Sequence, residues 1–242
     1  MRTIRSFIEM PLQPECELVL PEMVSNHVIR VLRLEIDDVF NLFNGDGYDY
    51  PCHILSLEKR GARVRVLDKI AVLNESPLRI HLYQSIARGE KMDWILQKST
   101  ELGVAEFTPI VSDRTEVKLD GERGDKKLAH WQGVVRSACE QSGRAMVPMV
   151  NPPIAIHRID ARGIAGAYYL QPDAADDIAG LGIPDDGNLI LAIGPEGGFT
   201  ERDIHLLHTA GFKGLRIGPR ILRTETAGSA VTAALQSHYG DW

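Results

Sequence analysis

Cysteine is scarce and poorly spaced for chemistry. The 242 residues hold three, Cys16, Cys52 and Cys139, with no C-x-x-C pair. That excludes a disulfide framework and a cysteine zinc site, and it points to a reducing compartment. Long apolar runs are missing too, and none approaches the roughly 18 residues of a membrane span. Met1–Arg5 precede neither an apolar stretch nor a small-residue cleavage site, so no leader is expected and the chain is placed in the cytoplasm. Neither sign of charge dominates: 27 basic and 33 acidic residues leave a net charge of −6. A bulk polycation that coats nucleic acid is excluded, although a local basic face is not. A G-x-x-x-x-G-K-[ST] phosphate loop is absent, as is an early G-x-G-x-x-G with an acidic residue about 20 positions on.

What is present divides in two. Up to about Leu73 the chain reads as short strands broken by turns. Asn44–Gly47 separates Val39–Phe43 from Tyr48–Leu57 as a hairpin signal, and Ala62–Leu67 alternates apolar and basic residues with period two. A helix is expected from Pro21 to Leu32, with Pro at its first turn. Many short strands at this spacing predict a small antiparallel barrel or sandwich. After the connector Asn74–Pro77, strands alternate with helices. Strands are expected near Ile80–Gln84, Val104–Val111, Ala167–Leu170, Leu189–Ile193 and Leu215–Ile217. Helices are expected at Gly89–Leu102, Asp125–Ser142, Thr200–Ala210 and Thr226–His238. That order predicts an α/β domain with a largely parallel sheet, so the domains expected are 1–73 and 74–242.

Two glycine-containing loops each follow an apolar strand and open a helix. One is Ile193-Gly194-Pro195-Glu196-Gly197-Gly198-Phe199-Thr200; the other is Ile217-Gly218-Pro219-Arg220-Ile221-Leu222-Arg223-Thr224-Glu225-Thr226. In an open parallel sheet ligands sit beyond the carboxyl ends of the strands, and loops one strand apart can wall one cleft. Glu196 would repel a phosphate, so the ligand expected is small and neutral or cationic.

These loops resemble those of the SPOUT-class, trefoil-knotted RNA methyltransferases, and in particular the RsmE family of 16S ribosomal RNA uridine-N3 methyltransferases. Arg88–Asp93, Gln97–Gly103, Cys139–Arg144 and His27–Arg33 carry the same resemblance, which covers nearly the whole chain. It implies a PUA-like RNA-binding barrel, a knotted α/β domain, S-adenosylmethionine as methyl donor and a homodimer whose cleft the partner completes. It also implies a cofactor pocket made of Ile193, Gly194, Pro195, Glu196, Gly197 and Gly198 with Ile217, Gly218, Ile221, Leu222, Arg223, Thr224 and Thr226. Leu170 and Gln171 would form its third wall.

N3 of uracil carries a proton at neutral pH, so the transfer calls for a base near N3 or for donors at the flanking carbonyls. Arg223 is the candidate for the electrostatic role. Glu196 and Glu225 are candidates for the proton acceptor, although Glu225 could equally be a partner of a helix dipole. RNA contacts are expected from Arg2, Arg5, Arg30 and Arg33 in the first domain. Arg88, Lys91 and Lys98, on one helical stripe with Trp94, extend that face, and Arg136 and Arg144 at the end of the long helix extend it more weakly. The substrate partner is ribosomal RNA or the assembled small subunit. His205 and His208, three apart on a helix, read as a surface pair, and no metal is expected. The competing reading is a non-catalytic RNA-binding or ribosome-assembly protein with a vestigial cleft.

Overall fold

A computed structural model describes residues 4–58, 61–117 and 121–242. They form two units. One runs to Glu75 and includes Arg136–Val147; the other comprises Ser76–Val135 and Pro148–Trp242. Residues 136–147 thus join the first unit although they follow residue 74 in the chain.

The first unit contains β1 (Arg5–Phe7), β2 (Glu17–Val19), α1 (Glu22–Asn26), β3 (Val39–Phe43), β4 (Tyr48–Glu58), β5 (Gly61–Val66) and β6 (Ile70–Ala71). The strands pair in the order β1-β3-β4-β5-β2, with β6 on β4. Asn44–Gly47 joins β3 to β4 as the sequence predicts, and period two sorts the side chains. Ala62, Val64 and Val66 enter the core, while Arg63 and Arg65 face out and pair with Glu58 and Glu17. Contrary to a wholly antiparallel expectation, β1 runs parallel to β3.

The helix expected over 21–32 is shorter and irregular. Pro21 caps α1 rather than entering it, and His27–Val31 continues as a π-helical turn. Arg33 follows in the left-handed region, at φ 56°. Arg30 and Arg33 therefore share no regular helix. Both are exposed and form no ion pair among the described residues.

Two of the expected RNA-binding arginines face inward. Arg5 is 8% exposed. Its guanidinium makes a forked pair with Asp49, at 2.7 Å from Nη2, and donates to the carbonyls of Cys139 and Arg144 at 2.8 and 3.1 Å. Arg144, 5% exposed, pairs with Glu75 through Nε and Nη2 at 3.1 and 2.5 Å. Desolvated arginine–carboxylate forks of this kind hold structure together and leave few N–H groups for phosphate. Arg136 packs 4.5 Å from the Phe7 ring centroid and pairs with Glu9. Arg2 lies outside the described residues.

The second unit contains β7 (Arg79–Ser85), α2 (Lys91–Glu101), β8 (Glu106–Val111), α3 (Gly121–Ser142, whose last turns belong to the first unit), β9 (Met149–Val150), β10 (Ile154–Ala155), β11 (Ala167–Leu170), β12 (Asn188–Ile193), α4 (Glu201–Thr209), β13 (Lys213–Leu215) and α5 (Thr224–Tyr239). The sheet is wholly parallel, in the order β10-β8-β7-β12-β11-β13, with β9 on β8. Buried on both faces, β12 reads as the unbroken run Leu189–Ile193. On one face Leu207, Ala210 and Phe212 pack against Tyr169, Ile190 and Ala192. On the other, α5 lies across β7 and β12. A Cβ on Gly228 of α5 would stand 3.4 Å from Leu82 and 3.9 Å from Ile193, so the helix sits at contact distance from the sheet. The Thr200–Asp203 capping box opens α4 as the sequence predicts. Among the described residues no helix is long and apolar enough to cross a membrane.

Because β7, β12, β11 and β13 are adjacent and parallel, their carboxyl ends share one edge of the sheet. The loops after them necessarily gather there.

Candidate active site

Three of those loops enclose a cavity of about 270 Å3, near the lower end for ligand pockets. It is lined by Leu170 and Gln171 after β11, by Ile193, Gly194, Pro195, Glu196, Gly197 and Gly198 after β12, and by Ile217, Gly218, Ile221, Leu222 and Thr224 after β13. The structure thus brings together every expected pocket residue except Arg223 and Thr226. Pro172, Phe199, Leu215, Arg220 and Ala227 line it as well. Phe199 and Arg220 lie within the two loops and Ala227 follows the second, a signal the sequence offered; Leu215 and Pro172 show only once β11 and β13 are paired.

The loop geometry explains the glycines. A Cβ on Gly194 would stand 3.1–3.2 Å from backbone atoms of Gly198 and Phe199, so any side chain there would push the folded-back loop apart by a few tenths of an ångström. Gly218 has φ 125°, which L side chains rarely adopt, and a Cβ there would meet open space. Gly197 differs: a Cβ on it would meet the Arg114 side chain at 3.0 Å, and Arg114 Nη1 donates to the Gly197 carbonyl.

A polar seam holds the two main loops in register. Thr224 Oγ1 donates to the Gly194 carbonyl at 2.7 Å and accepts from Gln84 Nε2 at 2.9 Å. Gln84, buried near the end of β7, also donates to the Ser85 carbonyl at 3.0 Å. Its part is invisible in sequence, since Thr224 lies 140 positions away. On the third wall, the Tyr169 hydroxyl meets Gln171 Oε1 at 2.7 Å and His208 Nε2 at 2.9 Å. His208, exposed as a surface pair member would be, therefore reaches the cavity wall only through the Tyr169 hydroxyl. No group of three or more metal-ligating side chains occurs among the described residues.

At the cavity rim, Lys91 stands between the two candidate carboxylates. Its Nζ is 3.0 Å from Glu196 Oε1 and 3.6 Å from Glu225 Oε2. Glu196 also accepts from the Arg88 backbone N–H at 3.2 Å. Burial pushes its pKa up. Its own backbone amide, Lys91 and the Arg88 amide outweigh that, so the carboxyl sits below its ordinary value. Glu225 Oε2 is buried without a hydrogen-bond donor among the described residues. Arg223 is placed differently. It occupies the N-cap position of α5, where its carbonyl accepts from the Thr226 and Ala227 amides at 2.9 Å, while its side chain is 83% exposed.

Of the stripe expected of Arg88, Lys91 and Lys98, Lys91 and Lys98 share α2 with Trp94, Arg88 lies before it, and all three cations are paired. Arg88 pairs with Glu116, Lys91 turns to Glu196, and Lys98 pairs with Glu101 at 2.9 Å. Trp94 between them is exposed.

Residues 74–236 match the RNA methyltransferase domain family, and residues 20–67 match the RNA methyltransferase PUA domain family. Ribosomal RNA small subunit methyltransferase E of Buchnera aphidicola subsp. Schizaphis graminum is 35% identical over 99% of this chain and 98% of its own length. The chain belongs to the ribosomal RNA small subunit methyltransferase E family. Its Bacillus subtilis member is 30% identical over 84% of this chain and 82% of its own. Among solved structures, the Neisseria gonorrhoeae member bound to S-adenosyl methionine superposes with a TM-score of 0.93 at 39% identity, covering 99% of both chains. Lpg2936 from Legionella pneumophila, solved with bound SAM, gives 0.94 at 37% identity over 100% of both. The two-unit fold of this family, a PUA-like unit and a SPOUT-type α/β unit, is the fold of this chain.

Proposed function

We propose that the protein transfers a methyl group from S-adenosylmethionine to N3 of a uridine in 16S ribosomal RNA. The observation that carries this reading is the convergence of three loops from adjacent parallel strands on one cavity with no phosphate-binding signature. Its donor set suits that cofactor. Ile193, Ile221 and Leu222 offer apolar walls for an adenine, the glycine loops offer bare backbone, and the Glu196 carboxylate favours a cation. The curated and SAM-bound relatives support the same reading.

The bound cofactor would supply an electrophilic methyl carbon, displaced in line by the nucleophile. The chain's own groups then have two tasks, positioning and charge stabilisation. Arg223, exposed at the rim and 4.0 Å from Glu225 Oε1, would donate to a uracil carbonyl as N3 loses its proton. Lys91, held between two carboxylates, adds a fixed positive charge beside it. Glu196, with its lowered pKa and two donors already engaged, is a poor proton acceptor. Glu225, whose Oε2 accepts no hydrogen bond among the described residues and faces Lys91 Nζ only at 3.6 Å, is the better of the two.

The division of labour follows the matched families, with 1–73 holding RNA through Arg30 and Arg33 and 74–242 doing the chemistry. A homodimer in the cytoplasm completes the reading. Ile221, 85% exposed on the second loop, supports a partner surface at the cleft. A knotted carboxyl-terminal segment belongs to the same reading, carried over from the family resemblance.

Calorimetry separates this reading from a vestigial cleft. S-adenosylmethionine titrated into the protein should bind with one site per chain, whereas no heat at millimolar cofactor would favour the non-catalytic alternative.

A further inference from the structure

The second unit carries a larger hollow, of about 460 Å3, that shares no lining residue with the cofactor cavity. Ile86, Ala87 and Trp131 give it an apolar floor, and Arg123, Lys126 and Lys127 give it positive walls. Arg123 forms no ion pair among the described residues. Lys126 is 3.9 Å from Glu122 in a highly exposed pair, the kind that water and salt readily separate. Lys127 is steadier, 3.9 Å from Asp93 and 5.6 Å from the Trp131 ring centroid. Trp131 itself is 1% exposed, and its Nε1–H is buried without an acceptor among the described residues. A buried donor left unpaired is costly, and this one belongs to a residue that lines the hollow.

Cations around an apolar floor with a spare donor match a single-stranded nucleotide, which presents phosphates, a flat base and carbonyl or ribose oxygens. The location narrows this further. Ile86 and Ala87 directly precede Arg88, whose N–H donates to Glu196 on the cofactor loop. One short loop therefore borders both spaces. Resting on the reading above, we propose that this hollow holds a nucleotide of the RNA strand flanking the methylated uridine. The target base meets the cofactor at the mouth of the first cavity, and its neighbour is anchored in the second.

The test uses the full chain with small-subunit ribosomal RNA as probe, titrated at several salt concentrations, and with S-adenosylmethionine titrated separately. The double variant Arg123→Ala/Lys126→Ala should flatten the slope of log affinity against log salt by about 1.4, at about 0.7 per lost phosphate contact on a single strand. The charge-keeping variant Arg123→Lys/Lys126→Arg should retain the wild-type slope, and both should bind the cofactor as wild type does. An unchanged slope and affinity in the alanine variant would overturn the proposal. So would a loss of cofactor affinity, which would tie these residues to the first cavity. If the wild-type chain binds the cofactor and methylates the RNA, such results count against the flanking site alone. If it does neither, the functional reading falls, and the flanking site with it.

Discussion

Gly194→Val should weaken cofactor binding strongly in a protein that still folds. The first branched atom would stand 3.1–3.2 Å from the backbone of Gly198 and Phe199, which cannot yield as a flexible side chain can. Overpacking of this kind typically costs about 1–3 kcal/mol. Here it falls on a loop at the sheet edge, so the loop should open rather than the core. Spread through the Thr224 bond to the Gly194 carbonyl, the distortion reaches both main walls. Affinity for S-adenosylmethionine should fall on the order of 10–100-fold, read by calorimetry, with the circular dichroism spectrum unchanged. Gly197→Ala is the contrasting variant, because its Cβ meets only the movable Arg114 side chain and its effect should be smaller. Equal losses in both, or none in Gly194→Val, would show that the loop's folded-back shape does not matter.

Arg223→Ala should leave the fold and the cofactor affinity nearly untouched and lower turnover by about 100-fold, the effect of removing one donor from a charge-stabilising site. The side chain is 83% exposed, and the helix is capped by the residue's carbonyl, which alanine keeps. Single-turnover rates with cofactor and RNA both saturating would isolate the step. Normal turnover would remove Arg223 from the chemistry. A loss confined to cofactor affinity would make it a binding residue instead.

The cofactor cavity was legible in the sequence because its walls are local motifs: an apolar strand, a glycine-bearing turn and a helix start, repeated one strand apart. Leu170 and Gln171 came from resemblance, and they meet the loops because β11 lies between β12 and β13. The roles of charged side chains were much harder to read. Nothing near Arg5 in sequence marks it as buried, since its partners Asp49 and Cys139 lie 44 and 134 positions away. Arg144 and Glu75 are 69 apart. Lys91 reads as one cation on a helix until the fold sets Glu196 and Glu225 on either side of it. A strand of three residues such as β1 is also too short for periodicity to declare.

The most direct test of the account is to incubate the full-length protein with small-subunit ribosomal RNA lacking its methyl groups and with methyl-labelled S-adenosylmethionine, digest the RNA to nucleosides and separate them by mass. The account predicts label in N3-methyluridine, at one position, with none appearing when the cofactor is omitted. Label in another nucleoside or on a ribose oxygen would contradict the proposed chemistry, and no label at all, with the cofactor shown to bind, would contradict the substrate.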